Sequence, residues 1–274
     1  MNAIQTANQI NFYNNLTRNA RFTSTEIDMA VNSAMIEFID EKLGDRTMRS
    51  PENFQLMQAI RSDLSTLITT VSPTVTPATA VTNRYYTITP MTFPTPTDYY
   101  DFVALVTLID GYTSYARPTT YNERGPLFED SFKHPTNTKV YFNDTAAGMV
   151  LYRGTGGTFT SATLDYIKYP TAFTVGPDAN IVPAGSTLTN GLSYIATEIT
   201  NYNSTIYQIG ATITGVGVAT MIITGAVILT SYTNPIILPP KVHDEICRMA
   251  SVILLKSVGE YPESQAIESI RSKV

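Results

Sequence analysis

The chain contains no tryptophan, one cysteine and two histidines among its 274 residues. A single cysteine, Cys247, excludes an internal disulfide and any zinc site built from several cysteines. The histidines, His134 and His243, leave little material for a histidine-based metal centre. Charged residues make up only 15% of the chain, against roughly 25% in an ordinary soluble domain. The 18 basic and 23 acidic residues give a net charge of −5. That balance argues against bulk electrostatic binding of duplex DNA, which needs several Lys or Arg to neutralise phosphates. The first residues, Met1-Asn2-Ala3-Ile4-Gln5-Thr6, show no basic region followed by an apolar core, so no secretory signal is expected.

What fills the deficit in charge is Thr, Ser, Asn and Tyr, with 17 tyrosines. Thr and Tyr suit a pleated, half-buried surface, so β-structure is favoured. Hydrophobic residues reach 43%, too many for a disordered chain. The length fits one large domain or two modest ones, at roughly 100–200 residues per domain.

Residues 1–22 read as a flexible polar arm in which Ile10, Phe12 and Tyr13 are isolated apolar anchors. Thr23 and Glu26 have the spacing of a capping box. Ile27, Ala30, Val31, Ala34, Met35, Phe38 and Ile39 then recur with helical period until Gly44. Ser50-Pro51-Glu52 signals a second helix, with Phe54, Met57, Ile60, Leu64, Leu67, Ile68 and Val71 as its stripe. Residues 23–71 are therefore expected to form a helical hairpin. Prolines in Ser72-Pro73-Thr74-Val75-Thr76-Pro77 make the next stretch an extended connector.

Residues 84–170 read as a central β region. Expected strands are 84–90, most of 101–117, Lys139–Phe142, Gly148–Arg153 and Ala162–Tyr169. A short helix is expected within 119–136, and a turn at Gly154-Thr155-Gly156-Gly157. Residues 171–238 read as an inserted β-module with short strands at Tyr194–Ala196, Ile199–Asn203, Thr205–Gly210 and Ile213–Gly215. No Asp, Glu, Lys or Arg occurs from Ile199 to Pro240. Pro239-Pro240 opens the closing segment, 239–274. There Val242, Ile246, Met249, Ala250, Ile253 and Leu254 lie on a helical stripe to about Val258, and a short helix carries Ile267 and Ile270.

The apolar run Ile209–Leu229 would span a bilayer if helical, since about 20 residues suffice. Thr212, Thr214, Thr220 and Thr224 interrupt it, no Lys/Arg cluster flanks it closely and no Trp anchors it. A β-module is the expectation, and no membrane span. His243 and Cys247 stand four apart on one helix face, but a structural zinc site needs four ligands. The same pair could make a cysteine hydrolase only with a base and a lowered thiol pKa. Gly154-Thr155-Gly156-Gly157 lacks the Gly-Lys-Ser/Thr of a phosphate loop. Asp98, Asp101 and Asp110 read as solvated loop acids. Arg117, Arg124, Lys133 and His134 alternate with Glu123, Glu129 and Asp130, which suits a salt-bridged loop better than a nucleic-acid site. No cofactor, metal ligand or catalytic residue is expected, and the chain does not read as an enzyme.

Several stretches in order resemble one family. Asn19-Ala20-Arg21-Phe22-Thr23 and the helix through Glu41-Lys42 look like the start of head-to-tail connector proteins of tailed bacteriophages, particularly the crAss-like type. Ala116-Arg117-Pro118 and Asp130-Ser131-Phe132-Lys133-His134-Pro135 resemble a loop of those neck proteins, which commonly have Asn-Pro-Phe-Lys-Lys-Pro at the second position. Leu164-Asp165-Tyr166-Ile167-Lys168-Tyr169-Pro170 is similar to their strand ending Tyr-Ile-Lys-x-Pro. Leu238-Pro239-Pro240-Lys241-Val242-His243-Asp244-Glu245-Ile246 is similar to their last helix, and Tyr194–Gly215 to a short β-module of phage structural proteins.

The resemblance implies an α+β fold, with a helical frame from both chain ends, β-structure between them and the inserted module. It implies a virion subunit made in the host cytoplasm. That subunit forms a twelvefold homo-oligomeric ring between portal and tail, alongside adjacent neck-ring and tail proteins, with DNA passing through the lumen unread. Residues expected at partner interfaces are Ile10, Phe12, Tyr13, Phe132, Lys133, Tyr194, Tyr202, Tyr207, Ile267 and Ile270. The alternative is a tail-tip protein binding a receptor or carbohydrate through tyrosine-rich, uncharged strands.

Overall fold

The computed structural model describes residues 1–15, 22–44, 60–82, 86–130, 132–145, 148–175, 181–216, 222–229 and 233–257. The fold is α+β, as expected. The chain divides into two compact units, Met1–Thr66 with Pro170–Val274, and Leu67–Tyr169.

In the first unit, helix α1 (Ala3–Asn15) occupies the segment expected to be a flexible arm. Its start is a reciprocal cap. Gln5 N–H donates to Asn2 Oδ1 at 2.9 Å, and Asn2 N–H donates to Gln5 Oε1 at 3.1 Å. Ala3, Ala7, Ile10 and Asn14 then form one buried stripe at helical spacing. Helix α2 (Ser24–Gly44) follows its capping box, in which Thr23 N–H donates to Glu26 Oε2 at 2.8 Å and Glu26 N–H to Thr23 Oγ1 at 3.3 Å. The seven residues expected on its apolar stripe are its buried residues.

Residues 60–63 are helical, and Asp63 pairs with Lys241 at 2.8 Å and with Lys42 at 3.9 Å. The preceding part of the expected second helix lies outside the described residues. Its end is a correction: Ile68–Val71 is a strand, not helix. A run of Ile, Thr, Thr and Val is β-branched throughout, and sheet pairing overrides the helical stripe. The closing helix, α4 (His243–Ser257), contacts both α1 and α2 and buries Ile246, Cys247, Met249, Ala250 and Leu254.

The second unit is a β-sandwich. Its strands are β1 (Ile68–Val71), β2 (Thr76–Pro77), β3 (Val81–Thr82), β4 (Thr87–Phe93), β5 (Tyr99–Ile109), β6 (Tyr112–Tyr115), β7 (Arg117–Pro118), β8 (Tyr141–Thr145), β9 (Gly148–Gly154) and β10 (Phe159–Lys168). One sheet has the order β1-β10-β5-β6. The other runs β2-β4-β9-β8-β7, with β3 also on β4. Met91, Phe93, Leu105, Ile109, Phe142, Met149, Leu151, Ala162 and Leu164 meet between the two sheets as one core. Helix α3 (Tyr121–Glu129), capped by Thr120 and Glu123, covers the outer face of the second sheet. There Phe128 meets Tyr152 edge-on, with centroids 5.1 Å apart. The stretch read as a single strand within 101–117 is a hairpin. Asp110 and Gly111, at φ +52° and +79°, make the two-residue turn between β5 and β6.

The inserted module contains β11 (Ile181–Val182), β12 (Ser193–Ala196), β13 (Thr200–Tyr202), β14 (Thr205–Tyr207), β15 (Thr212–Thr214) and β16 (Val227–Leu229). Four of them form the sheet β11-β16-β12-β15, and β13 and β14 form a hairpin turning at Asn203 and Ser204, both at positive φ. Leu188, Tyr194, Ala196, Tyr202, Ile213, Ile223 and Val227 make the core. The apolar run Ile209–Leu229 thus supplies β15 and β16. Among the described residues no helix is long and apolar enough to cross a membrane.

The base of the module is fastened to α2. Thr174 and Asn234 exchange backbone hydrogen bonds at 3.0 and 2.8 Å. Asn32 accepts from Phe173 N–H at 2.7 Å and donates to its carbonyl at 3.0 Å, and Asp28 accepts from Val175 N–H at 2.7 Å. The Phe173 side chain is fully buried.

Candidate interaction surfaces

Among the described residues no group of three or more His, Cys, Asp or Glu is placed to hold a metal ion. Cys247 is fully buried in α4, and burial, with the Asp244 charge second, pushes its thiol up to about 12. Such a thiol is not a thiolate at neutral pH and cannot attack. His243 Nε2 lies 2.7 Å from the Leu238 carbonyl, so that nitrogen carries the hydrogen and donates it. Burial holds the His243 pKa below its ordinary value. Asp110, read as a solvated loop acid, is an exposed turn residue that also clamps the neighbouring loops. It accepts from Thr158 N–H at 2.6 Å and from Asn137 Nδ2 at 3.3 Å. Arg153 donates to the Gly156 carbonyl at 2.9 Å in the same turn.

The residues expected at interfaces separate into two groups. Ile10 is fully buried within the chain, which corrects its reading as an isolated anchor of a flexible arm at a partner interface. Tyr13 ties α1 to α4: its hydroxyl donates to Asp244 and accepts from Gln9 Nε2 at 2.9 Å. Arg248, paired with Asp244 at 2.6 Å, lies 5.9 Å from the Tyr13 ring centroid. Of the arm's anchors, Phe12 is exposed. Tyr194 and Tyr202 are buried in the module core, where their hydroxyls accept from Thr189 N–H at 3.1 Å and Val216 N–H at 2.8 Å. A tyrosine can bury its ring and still satisfy a backbone donor, so these two turn inward. Tyr207 is half-buried against the same core. Ile267 and Ile270 lie outside the described residues.

Among the described residues, the module's exposed large apolar side chains are aliphatic. Leu192, Ile199, Ile206, Ile209, Val216 and Ile222 all face solvent. The one charge within 181–229 is Glu198, whose carboxylate accepts from Ala226 N–H at 3.3 Å. The pattern carried a usable signal. On the β13–β14 hairpin, Thr200 pairs with Tyr207, Tyr202 with Thr205 and Asn201 with Ile206. Period-two alternation that takes Tyr202 inward therefore turns Ile206 outward. In the sandwich, β6 is a sheet edge and exposes Tyr112 and Tyr115.

Two features have more definite geometry. Phe132 is 82% exposed, the most exposed large hydrophobic side chain among the described residues. Its backbone is held firmly. Asp130 accepts from the N–H groups of Phe132 at 2.8 Å and Lys133 at 3.2 Å, and Lys139 Nζ donates to the Phe132 carbonyl at 2.8 Å. The Phe132 N–H is the chief reason the Asp130 carboxyl sits below its usual range. The second feature is a groove on α2 of about 520 Å³, lined by Asn32, Ser33, Ile36, Glu37 and Asp40. Nothing in the sequence pattern singled it out, because Glu37 and Asp40 read as the solvated face of an amphipathic helix.

No protein-family model matches the chain, and no curated protein is significantly similar to it.

Proposed function

We propose that the chain is a non-enzymatic structural subunit of a virion, assembling as a ring in the head-to-tail connector between portal and tail. The observation that carries this reading is the set of exposed aliphatic side chains on a module whose only charges are Asp178 and Glu198. Leu192, Ile199, Ile206, Val216 and Ile222 stand in solvent on a segment without Asp, Glu, Lys or Arg from Ile199 to Pro240. Scattered apolar side chains are ordinary on a surface, but here the stretch that carries most of them has no charged residue to keep it in solvent. Obligate subunit contacts bury about 2,000 Å² or more and favour such composition.

In this reading α1, α2 and α4 form the frame of each subunit, the sequence resemblance gives the ring a twelvefold order, and adjacent neck-ring and tail proteins cover the module. The net charge of −5 suits a lumen through which DNA slides, since a basic wall would hold the phosphates. The tail-tip alternative would rest on Tyr112 and Tyr115 of β6, because Tyr194 and Tyr202 are spent inside the module.

Electron microscopy of the full-length purified chain, alone and mixed with the portal ring of the same virus, tests the proposal. Closed rings in either sample support it. Monomers in both samples, with no density added to the portal, overturn it.

A further inference from the structure

The Phe132 loop and the α2 groove have complementary chemistry. The loop tip is an aromatic ring followed by a cation, with the Lys133 side chain 71% exposed. Its pairing with Asp130 at 3.8 Å is of the exposed kind that contributes little, so Lys133 can exchange partners. The hydrogen bonds from Asp130 and Lys139 fix the backbone on both sides of Phe132. A tip already ordered loses little conformational entropy when it docks. The groove offers Ile36 as an apolar surface and Glu37 and Asp40 as negative charge. It is a shallow, open surface of one helix, so it suits a protruding side chain of another protein better than an enclosed small ligand.

We infer that the Phe132–Lys133 tip of one copy seats in the α2 groove of a second copy, with the Phe132 ring on Ile36 and the Lys133 ammonium on Glu37. The inference rests on the ring reading and supplies it with a contact. Tip and groove are different surfaces of one chain, so the contact can repeat head to tail. It closes into a ring where its rotation closes, gives a filament where it does not, and stops at a dimer if two copies exchange tips. Exposed aromatic anchors are the side chains that dominate interface energies, and the opposite charges fix the register of docking.

Sedimentation velocity on the full-length chain tests this with five proteins: wild type, Phe132→Ala, Lys133→Glu, Glu37→Lys and the double variant Lys133→Glu/Glu37→Lys. Phe132→Ala is expected to weaken self-association about 30-fold or more. Each single charge reversal is expected to weaken it about tenfold, and the double reversal to return it to within about threefold of wild type. The charge reversals alter only exposed side chains, so restoration in the double variant separates a lost contact from a lost fold. Rings that persist unchanged in Phe132→Ala and both single reversals overturn the contact and leave the ring reading standing. A double reversal weaker than either single one also overturns it, because the two charges then do not face each other. A wild-type chain that stays monomeric at about 100 µM overturns the self-contact, and the portal sample then decides the ring reading separately.

Discussion

In the central sandwich β5 and β10 run for 11 and 10 residues, whereas among the described residues no strand of the inserted module exceeds four. Long ladders satisfy most of the sandwich backbone, and its loops are fastened by charged side chains, Asp110, Asp130, Lys139 and Arg153. The module's short ladders are supplemented by backbone bonds across its loops and by hydroxyl groups. Tyr194 and Tyr202 accept backbone hydrogens, and Thr224 Oγ1 accepts from Asn201 N–H at 2.7 Å. Thr200 Oγ1 accepts from Gly225 N–H at 2.8 Å and donates to its carbonyl at 3.3 Å. Buried backbone groups must find partners, and here the polar side chains turn inward to provide them. Aliphatic residues at alternate positions are left facing outward. A composition rich in Thr and Tyr therefore reports internal hydrogen bonding in the module as much as surface polarity.

The largest test of this contrast is truncation in each core. Tyr202→Ala should destabilise the module by about 4 kcal/mol, and Leu164→Ala the sandwich by about 3 kcal/mol, read by urea unfolding and by amide exchange in each region. The informative partner is Tyr202→Phe. It keeps the ring and strands the Val216 N–H, so a loss of about 1–3 kcal/mol is expected. A neutral result there would sink the hydroxyl account of the module. Next comes Asp110→Ala, which removes the acceptor for Thr158 N–H. About 1–2 kcal/mol should disappear from the sandwich, with amide protection lost at Thr158 and the module's protection unchanged.

The smallest effect is an acid titration followed residue by residue. Glu123 lies below its ordinary value of 4.5, first through the Thr120 backbone N–H, and Asp130 below 3.8, first through the Phe132 N–H. A depressed carboxyl stabilises the fold above its unfolded pKa and loses that contribution as pH falls through the folded one. The start of α3 and the Phe132 loop should therefore loosen as pH drops below about 4.5. The described part of the module, whose one carboxylate is Glu198, should hold its signals through the same range.

The strongest sequence signals were the repeated ones. The α2 stripe was legible residue by residue, since seven apolar positions agreed with a capping box at its start. The α1 stripe was not, because Thr6 and Asn14 lie buried in it and make the segment look polar. Its cap, Asn2 with Gln5, carried the missing signal. Ile68 and Val71 fit a helical period and a strand equally well, and only the pairing of Thr70 with Asp165, far along the chain, decides for the strand. Asp110-Gly111 was a readable hairpin turn hidden inside a continuous apolar run. Of the expected interface residues, Phe132 and Lys133 are exposed, while Tyr194 and Tyr202 are buried. Local pattern gives alternation, but which face of a short strand is covered depends on contacts distant in sequence.

The bridge between Thr174 and Asn234 bears on how the chain can change. It brings both ends of the module to one point, and Asp28 and Asn32 fix that point on α2. A segment closed at its base is a cassette. Because loop-closure entropy grows only slowly with length, what lies between Val175 and Asn234 can be lengthened, trimmed or exchanged without moving its anchorage. The module's outer surface can therefore be redrawn while the helices that carry it stay as they are.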